Sequence, residues 1–222
     1  MEHLTLLIVW GVLVGLDLVS VPQVMIARPL VAGTVAGVIV GDPVAGATVG
    51  IVLELFALGV LPVGAVRYPD LGLGTIAATV AAAGAPSIFG TGLGVGIGLL
   101  VAYLGGMGIH AVRILTARDV RRHQTALDRG DRRMVISVHL RGLGRDALRS
   151  LAITGLGIAL AMTARNWLPL TTRGAVYLGI VAVGGALAAS MEGVYQLVGR
   201  RVVLRWFALG LAGGLMGVVA LS

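Results

Sequence analysis

The sequence predicts an all-α, polytopic membrane protein with re-entrant helical hairpins. Of its 222 residues, 57% are hydrophobic and 12% are charged, whereas soluble domains are about 25% charged. The mean hydropathy is +0.98. Residues 71–112 contain no Asp, Glu, Lys or Arg, which is enough chain for two spans of about 20 residues each. A helix on the surface of a soluble protein would need a polar face that this segment lacks.

The charge distribution argues against a nucleic-acid-binding protein, although the pI is near 11.2. All 17 positive charges are arginines, and ten of them lie in the single interval 113–149. Under the positive-inside rule this interval is interpreted as a cytoplasmic loop. The chain contains no cysteine, which excludes disulfides, thiol chemistry and thiolate metal sites.

The first apolar segment, 4–26, is long enough for one span, and Pro22 followed by Gln23 marks its end or a bend. The segment lacks a basic n-region and a small-residue cleavage site, so we expect it to be retained as a span. Asp17, near its end, is expected to lie at the lipid headgroups. Arg28 precedes a proline and is expected to anchor an interface.

Two short apolar pieces, 29–41 and 44–60, follow and are separated by Gly41-Asp42-Pro43. Short pieces interrupted by Gly and Pro are typical of re-entrant or discontinuous helices in transporters, and a plain pair of short spans is the alternative. Glycines recur at every fourth position and give each piece a smooth face for close helix packing. They are Gly33, Gly37 and Gly41 in the first piece, and Gly46 and Gly50 in the second.

This stretch also carries two carboxylates, Asp42 and Glu54, without a basic residue between Pro29 and Val66. A charged side chain at bilayer depth costs at least ~2.5–3.5 kcal/mol on insertion scales, so it usually faces a water-filled cavity or a polar ligand. Glu54 is predicted to accept hydrogen bonds from adjacent hydroxyls of a sugar, with a structural ion pair to a distant arginine as the alternative. Asp42 is predicted either to cap the second helix or to contact the ligand.

Pro62 breaks the helix again, and Arg67 and Asp70 follow in non-helical chain. An Arg67–Asp70 ion pair that stabilises a loop is one interpretation. Unwound backbone at membrane depth is tolerated only where it is buried or beside a cavity, so the same segment could instead line the substrate path.

Two glycine patterns resemble nucleotide-binding loops but are not interpreted as such. No strand precedes the pattern at 72–77, and the pattern at 89–98 lacks the Gly-Lys-Ser/Thr ending of a phosphate loop. The alternate glycines at 89–98 instead predict a turn that leads into a closely packed helix.

The basic interval 113–149 is predicted to be helical, with a break at Gly130. It is interpreted as a solvated face near anionic lipid, with a docking surface for a cytoplasmic protein as the alternative. His123 and His139 lie in this interval without a second histidine or a carboxylate at metal-ligand spacing.

The C-terminal third is predicted to contain three apolar segments, with Glu192 as a further carboxylate that faces a cavity or pairs with a nearby arginine. The arginine counts place 113–149 and 199–205 on the cytoplasmic side and 165–173 outside. The apolar segments are 147–164, 174–191 and 202–221. The predicted regions are an N-terminal membrane region (1–112), the basic interval (113–149) and C-terminal membrane helices (150–222).

Three runs of residues resemble the IIC subunit of the mannose/fructose/sorbose class of the sugar phosphotransferase system. They are ARPLVAGTVAGVIVGD at 27–42, VGIVLELFALGVLPVGAVRYPD at 49–70 and GTIAAT at 74–79. The shared pattern is Arg-Pro-Leu, a Gly-Asp turn, a Leu-Glu helix ending in Ala-Leu-Gly, and a Gly-Ala…Pro-Asp turn. Glu54, Asp70 and the Asp42 turn match this pattern, whereas Arg67 does not and depends on the local argument alone.

The resemblance implies a membrane subunit that passes a hexose or related sugar inward while a separate IIB protein phosphorylates it. It also implies an oligomeric assembly with a IID subunit, IIA and IIB phosphotransfer proteins and membrane lipid in the cell (inner) membrane, without a cofactor or metal. The residues expected to bind substrate are Glu54, Asp70, Gln23, Asp42 and Arg67.

Two other classes of function are alternatives to a transport subunit that has no phosphorylation site of its own. Members of the family usually continue with a further apolar segment beyond the position that matches Ser222, so the alternative is a non-transporting scaffold or sensor. An intramembrane enzyme ranks last because the sequence shows no Ser/His, Asp/Asp or metal constellation.

Overall fold

The protein is all-helical over the residues that the computed structural model describes, which are 2–60, 66–85, 87–168 and 172–191. These residues contain no β-strand, so the predicted fold class is confirmed. The helices are α1 (Glu2–Val19), α2 (Pro29–Val40), α3 (Pro43–Leu58), α4 (Leu71–Ala82), α5 (Ser87–Arg122), α6 (Gln124–Asp128), α7 (Arg132–Trp167) and α8 (Thr172–Ser190).

Three of the described helices are long and apolar enough to cross a membrane: α1, α5 from Gly90 onward, and α7. Residues 71–112, which are enough chain for two spans, belong to two helices of unequal length. Helix α4 ends after 12 residues, and Gly84 follows in a left-handed conformation with φ 71°. The remainder of that segment is continuous with the start of the basic interval in one helix, α5.

Helices α2 and α3 form the predicted short hairpin. Gly41, with φ 82°, ends α2, and Asp42 caps α3 at the next residue. At a rise of 1.5 Å per residue the arms are about 18 and 24 Å long, less than the roughly 30 Å of a hydrocarbon core. The predicted close packing is confirmed, because a Cβ atom added to Gly33 would lie 2.6 Å from the Gly46 carbonyl oxygen.

Helix α4 lies at the centre of the fold, and all of its residues are buried. Its Thr75 and Thr79 hydroxyls donate hydrogen bonds to carbonyl groups one turn earlier, so neither hydroxyl needs an outside partner. Helix α5 packs directly against it, since a Cβ atom on Gly94 would lie 2.6 Å from the Ala78 carbonyl oxygen. The alternate glycines therefore belong to a closely packed helix, as predicted.

Helices α5 and α7 have 36 residues each, about 54 Å, and include the basic interval in their adjoining ends. The interval is helical with a break at Gly130, as predicted, and Gly130 has φ 71°. Arg145 of α7 donates a 2.6 Å hydrogen bond to Asp119 of α5, which joins the two helices. Both helices run without interruption across the predicted region boundaries, and the division into three regions stays a prediction.

In the C-terminal third, α8 confirms a helix close to the predicted 174–191 segment. The predicted 147–164 segment is the second half of α7 rather than a separate helix. Glu192 and the segments at 199–205 and 202–221 lie outside the described residues.

The α2–α3 contact predicts a steric effect of a single methyl group. Gly33→Ala should lower the free energy of unfolding by about 1–3 kcal/mol, because its Cβ atom would meet backbone of α3. The matched control is Gly96→Ala, since a Cβ atom there meets nothing within 4 Å. Thermal unfolding of the purified chains in detergent measures both. Equal melting temperatures for the two variants would contradict the packing described here.

Candidate functional site

The loop between α1 and α2 is shaped around the buried carboxylate of Asp17, which is 3% exposed. Asp17 accepts hydrogen bonds from the backbone N–H groups of Val24 and Ala27, at 2.6 and 3.1 Å. Two non-glycine residues of this loop, Gln23 and Met25, have φ of 60° and 69°. The loop folds back and supplies backbone donors to the carboxylate, and the location of Asp17 near the headgroups stays a prediction.

Beside this loop lies a cavity of about 500 Å³, here named the Gln23 cavity. Its volume is in the range of small-molecule sites. The polar side chains among its lining residues are those of Asp17, Gln23, Arg28 and Tyr68. The apolar wall comprises Leu18, Met25, Ala27, Pro29, Ala57, Leu58, Val60, Pro69, Leu71 and Gly72. A mostly apolar cavity with a few polar groups suits a solute that presents both hydroxyl groups and C–H faces.

Arg28 at the edge of this cavity forms an ion pair with Glu54 of α3. The second oxygen of Glu54 accepts a 3.1 Å hydrogen bond from the Leu30 N–H, in the first turn of α2. The carboxylate thus accepts from an N–H group at the start of α2 that has no acceptor within the helix. Of the two interpretations of Glu54, the structure shows the ion pair, and Arg28 has a definite partner that the sequence interpretation did not expect.

Asp70 is fully buried and does not pair with Arg67, so that interpretation was wrong. Asp70 caps α4 by accepting a hydrogen bond from the Leu73 N–H and forms a 2.6 Å ion pair with Arg149 of α7. Arg149 also forms a 2.9 Å ion pair with Asp146. Arg149 lies far along the chain, yet α7 brings it directly under the segment that contains Asp70.

The same cluster reaches α1 through two further contacts. Arg149 donates to the Gly15 carbonyl oxygen at 3.3 Å, and the Ser20 hydroxyl donates to Asp146 at 2.6 Å. We call Asp70, Asp146 and Arg149 the buried ion cluster. It ties α1, α4 and α7 together.

Arg67 lies at a second cavity of about 410 Å³, the Arg67 cavity. Its guanidinium is 3.1 Å from the Nε2 atom of His110 on α5. Tyr68 and Pro69 line both this cavity and the Gln23 cavity. Arg113 donates a 2.9 Å hydrogen bond to the Tyr68 hydroxyl and lies over the Tyr68 ring, 5.0 Å from its centroid.

Asp42 lies at the turn of the α2–α3 hairpin, and of its two interpretations the helix cap is confirmed. It accepts a 3.0 Å hydrogen bond from the Ala45 N–H. Its other oxygen accepts a 2.9 Å hydrogen bond from the Gly84 N–H, which joins this turn to the α4–α5 turn. Asp42 lines a separate small cavity of about 150 Å³ rather than the Gln23 cavity.

The structure therefore brings some of the predicted residues together and separates others. Gln23 and Arg67 line adjoining cavities, Glu54 reaches the first through Arg28, Asp70 lies buried behind their shared wall, and Asp42 is elsewhere. The sequence interpretation missed Asp146 and Arg149, whose i, i+3 spacing at the edge of an apolar segment was the available signal. Within the described ranges, no group of three or more His, Asp or Glu could hold a metal ion.

Comparisons with known proteins all indicate one family. A family model described as the sorbose-specific IIC component of the PTS system matches residues 2–210. The sorbose-specific EIIC component of Klebsiella pneumoniae is 35% identical over 198 residues, 84% of this chain and 71% of that protein. The mannose-specific EIIC component of Escherichia coli K12 is 32% identical over 174 residues, 74% of this chain and 64% of that protein.

A solved structure shares the fold. It is a cryo-EM structure of the mannose transporter ManYZ in complex with microcin E492, with a TM-score of 0.62 and 22% identity. The similarity covers 99% of this chain and 93% of the compared chain.

The buried ion cluster predicts a large loss of stability when its cation is removed. Arg149→Met should lower the free energy of unfolding by about 3–5 kcal/mol, because Asp70 and Asp146 would remain buried without a positive charge. Arg141→Met is the control, since Arg141 is 44% exposed and lies 4.0 Å from Asp119, and a change below about 1 kcal/mol is expected there. Unfolding in detergent measures both, and similar losses would contradict a special role for Arg149.

Proposed function

The chain belongs to the family of the sorbose-specific IIC component of the PTS system, and we propose that it is a subunit that passes a hexose or related sugar across the cell membrane. Family members are multi-pass inner-membrane proteins, in agreement with the three long apolar helices among the described residues. The observation that carries the proposal is the Gln23 cavity, whose few polar groups converge within an apolar wall.

In this proposal the Gln23 amide and the Arg28 guanidinium bind the sugar. An amide both donates and accepts hydrogen bonds, and a guanidinium has five N–H donors, which suits the hydroxyl groups of a sugar. The left-handed backbone at Gln23 supports this role, because such strained conformations cluster at functional sites.

The other predicted residues have proposed roles that are mostly indirect. Glu54 holds Arg28 at the cavity edge, and contact between its 20% exposed carboxylate and the sugar remains part of the proposal. Asp70 fixes the position of Tyr68 and Pro69 through its ion pair with Arg149. Arg67 lines the adjoining cavity. Asp42 acts indirectly, because it joins the α2–α3 turn to the α4–α5 turn.

The proposed partners follow from the family. A IIB protein would phosphorylate the sugar as it is delivered, a IIA protein would supply the phosphoryl group, and a IID subunit would complete the membrane complex. The chain itself then performs no covalent chemistry, and substrate movement comes from one helical group shifting against another.

Gln23→Ala should weaken sugar binding about tenfold, because loss of the amide leaves sugar hydroxyls without partners in a mostly apolar cavity. The measurement is equilibrium binding of radiolabelled hexoses and sorbose to the purified full chain together with its IID partner. Gln124→Ala is the matched control, since Gln124 is exposed on α6 and lies outside the cavity. Unchanged affinity in Gln23→Ala would remove Gln23 from the site.

Glu54→Gln tests the indirect role of the carboxylate. The change removes the charge that pairs with Arg28 but keeps an oxygen able to accept from the Leu30 N–H. We expect weaker sugar binding with membrane insertion retained, measured in the same binding assay and by the amount of protein in isolated membranes. Sugar affinity equal to that of the unaltered chain would show that Glu54 contributes nothing to the site.

Uptake by cells tests the function as a whole. Cells that express this chain with its IIA, IIB and IID proteins should accumulate sugar phosphate, and omission of the IIB protein should abolish that accumulation. The labelled sugars are hexoses, hexosamines and sorbose, so the same experiment identifies the substrate. Stable complex formation without uptake of any sugar would favour a scaffold or sensor.

A further inference from the structure

A cavity of about 810 Å³ lies between α5 and α7 and shares no lining residue with the Gln23 cavity. We call it the hairpin cavity. Most of its wall is apolar, so water alone would solvate it poorly. It is lined by Val19, Ser20, Val112, Arg113, Thr116, Ala117, Val120, Arg121, Leu127, Val135, Val138, His139, Gly142, Leu143 and Asp146.

The two long helices pack less closely beside the cavity than near the buried ion cluster. Near the buried ion cluster they are close, and a Cβ atom on Gly108 of α5 would lie 3.1 Å from the Arg149 side chain. Farther out, a Cβ atom on Gly142 would find only Thr116 side-chain atoms, at 3.9 Å. A Cβ atom on Gly144 would meet nothing within 4 Å.

The polar part of the wall is positively charged. Arg113, Arg121 and His139 are its basic residues, and the guanidinium of Arg113 is already bound to the Val66 carbonyl oxygen and the Tyr68 hydroxyl. Asp146 is the acidic residue of the lining, and its carboxylate is already bound by Arg149 and Ser20. Arg121 makes no hydrogen bond or ion pair within the described part of the chain, so its guanidinium is free for a ligand.

The cavity lies where the apolar helices give way to charged chain. Helix α1 ends at Val19, and the adjacent Ser20 is part of the cavity wall. Along α5, residues 87–112 carry no Asp, Glu, Lys or Arg, and Arg113 is the first charged residue. By length and composition this level corresponds to the boundary between hydrocarbon and headgroups.

We propose that the hairpin cavity binds an anionic phospholipid, with its phosphate at Arg121 and an acyl chain along the apolar wall. A soluble anion would not use that wall, and an uncharged lipid would not use the arginine. The proposal does not depend on which sugar the chain transports or on whether it transports one.

The first experiment tests whether the positive charge of the cavity contributes to lipid binding. The full chain is purified, delipidated and titrated with phosphatidylglycerol or phosphatidylcholine, and native mass spectrometry measures the bound lipid. Phosphatidylglycerol should bind at least fivefold more tightly than phosphatidylcholine. Arg121→Gln should weaken phosphatidylglycerol binding about fivefold, as expected for loss of one basic residue near a lipid phosphate. Arg118→Gln is the control, because Arg118 is exposed on the same helix and does not line the cavity. Equal losses in the two variants would indicate a diffuse field and would overturn the proposal.

The shape of the site is tested separately with the charges unchanged. Gly142→Leu should fill part of the cavity and weaken phosphatidylglycerol binding at least fivefold, whereas Gly144→Leu, outside the lining, should leave it within twofold. Melting temperatures verify that each variant is folded. If a leucine variant is not folded, the comparison of Arg121→Gln with Arg118→Gln alone tests the proposal.

Three results would overturn the assignment to a phospholipid. Unchanged phosphatidylglycerol binding in both Arg121→Gln and Gly142→Leu would show that no lipid binds in this cavity. Competition by glycerol 3-phosphate as effective as that by the lipid would assign a soluble anion instead. Unaltered lipid binding combined with loss of IIB association in Arg121→Gln would assign the cavity to a protein partner.

Discussion

The structure depends on one requirement. The first N–H groups of a helix have no acceptor within the helix, so a helix that begins inside an apolar bundle needs an acceptor from elsewhere. Short helices multiply such ends, and carboxylates supply the acceptors here. Asp42 caps α3, Asp70 caps α4, and Glu54 accepts from the first turn of α2. Asp17 does the same for the loop that precedes α2. The acidic residues of the N-terminal region are therefore structural acceptors first, and a site can be built only around them.

Several of the carboxylates are in addition paired with a cation. Arg28 serves Glu54 from the adjacent loop, and Arg149 serves Asp70 and Asp146 from α7. The cation from α7 is important because it joins a long helix to the short ones. Tyr68 and Pro69 directly precede Asp70 in the chain. Their position thus depends on Arg149, which is 79 positions from Asp70. The candidate sugar site and the long hairpin are in this way parts of one packed unit.

The sequence predicted features that depend on local composition and missed those that depend on long-range contact. The short α2–α3 hairpin, its glycine packing face and the Asp42 cap follow from residues near each other in the chain, and all three were predicted. The Asp70–Arg149 pair was not predicted, because no local pattern shows which arginine reaches a buried aspartate. Composition also does not show where 71–112 divides into α4 and α5, since uniform hydrophobicity does not reveal where Gly84 turns the chain.

The lengths of the helices have a consequence for how the protein responds to its bilayer. Hydrophobic mismatch acts on helices that cross the whole bilayer, and α1, α5 and α7 are the described helices long and apolar enough to do so. Helices α2, α3 and α4 are too short to do so, and α4 contacts no lipid because all its residues are buried. A change of bilayer thickness therefore reaches α4 through the long helices, to which the buried ion cluster joins it.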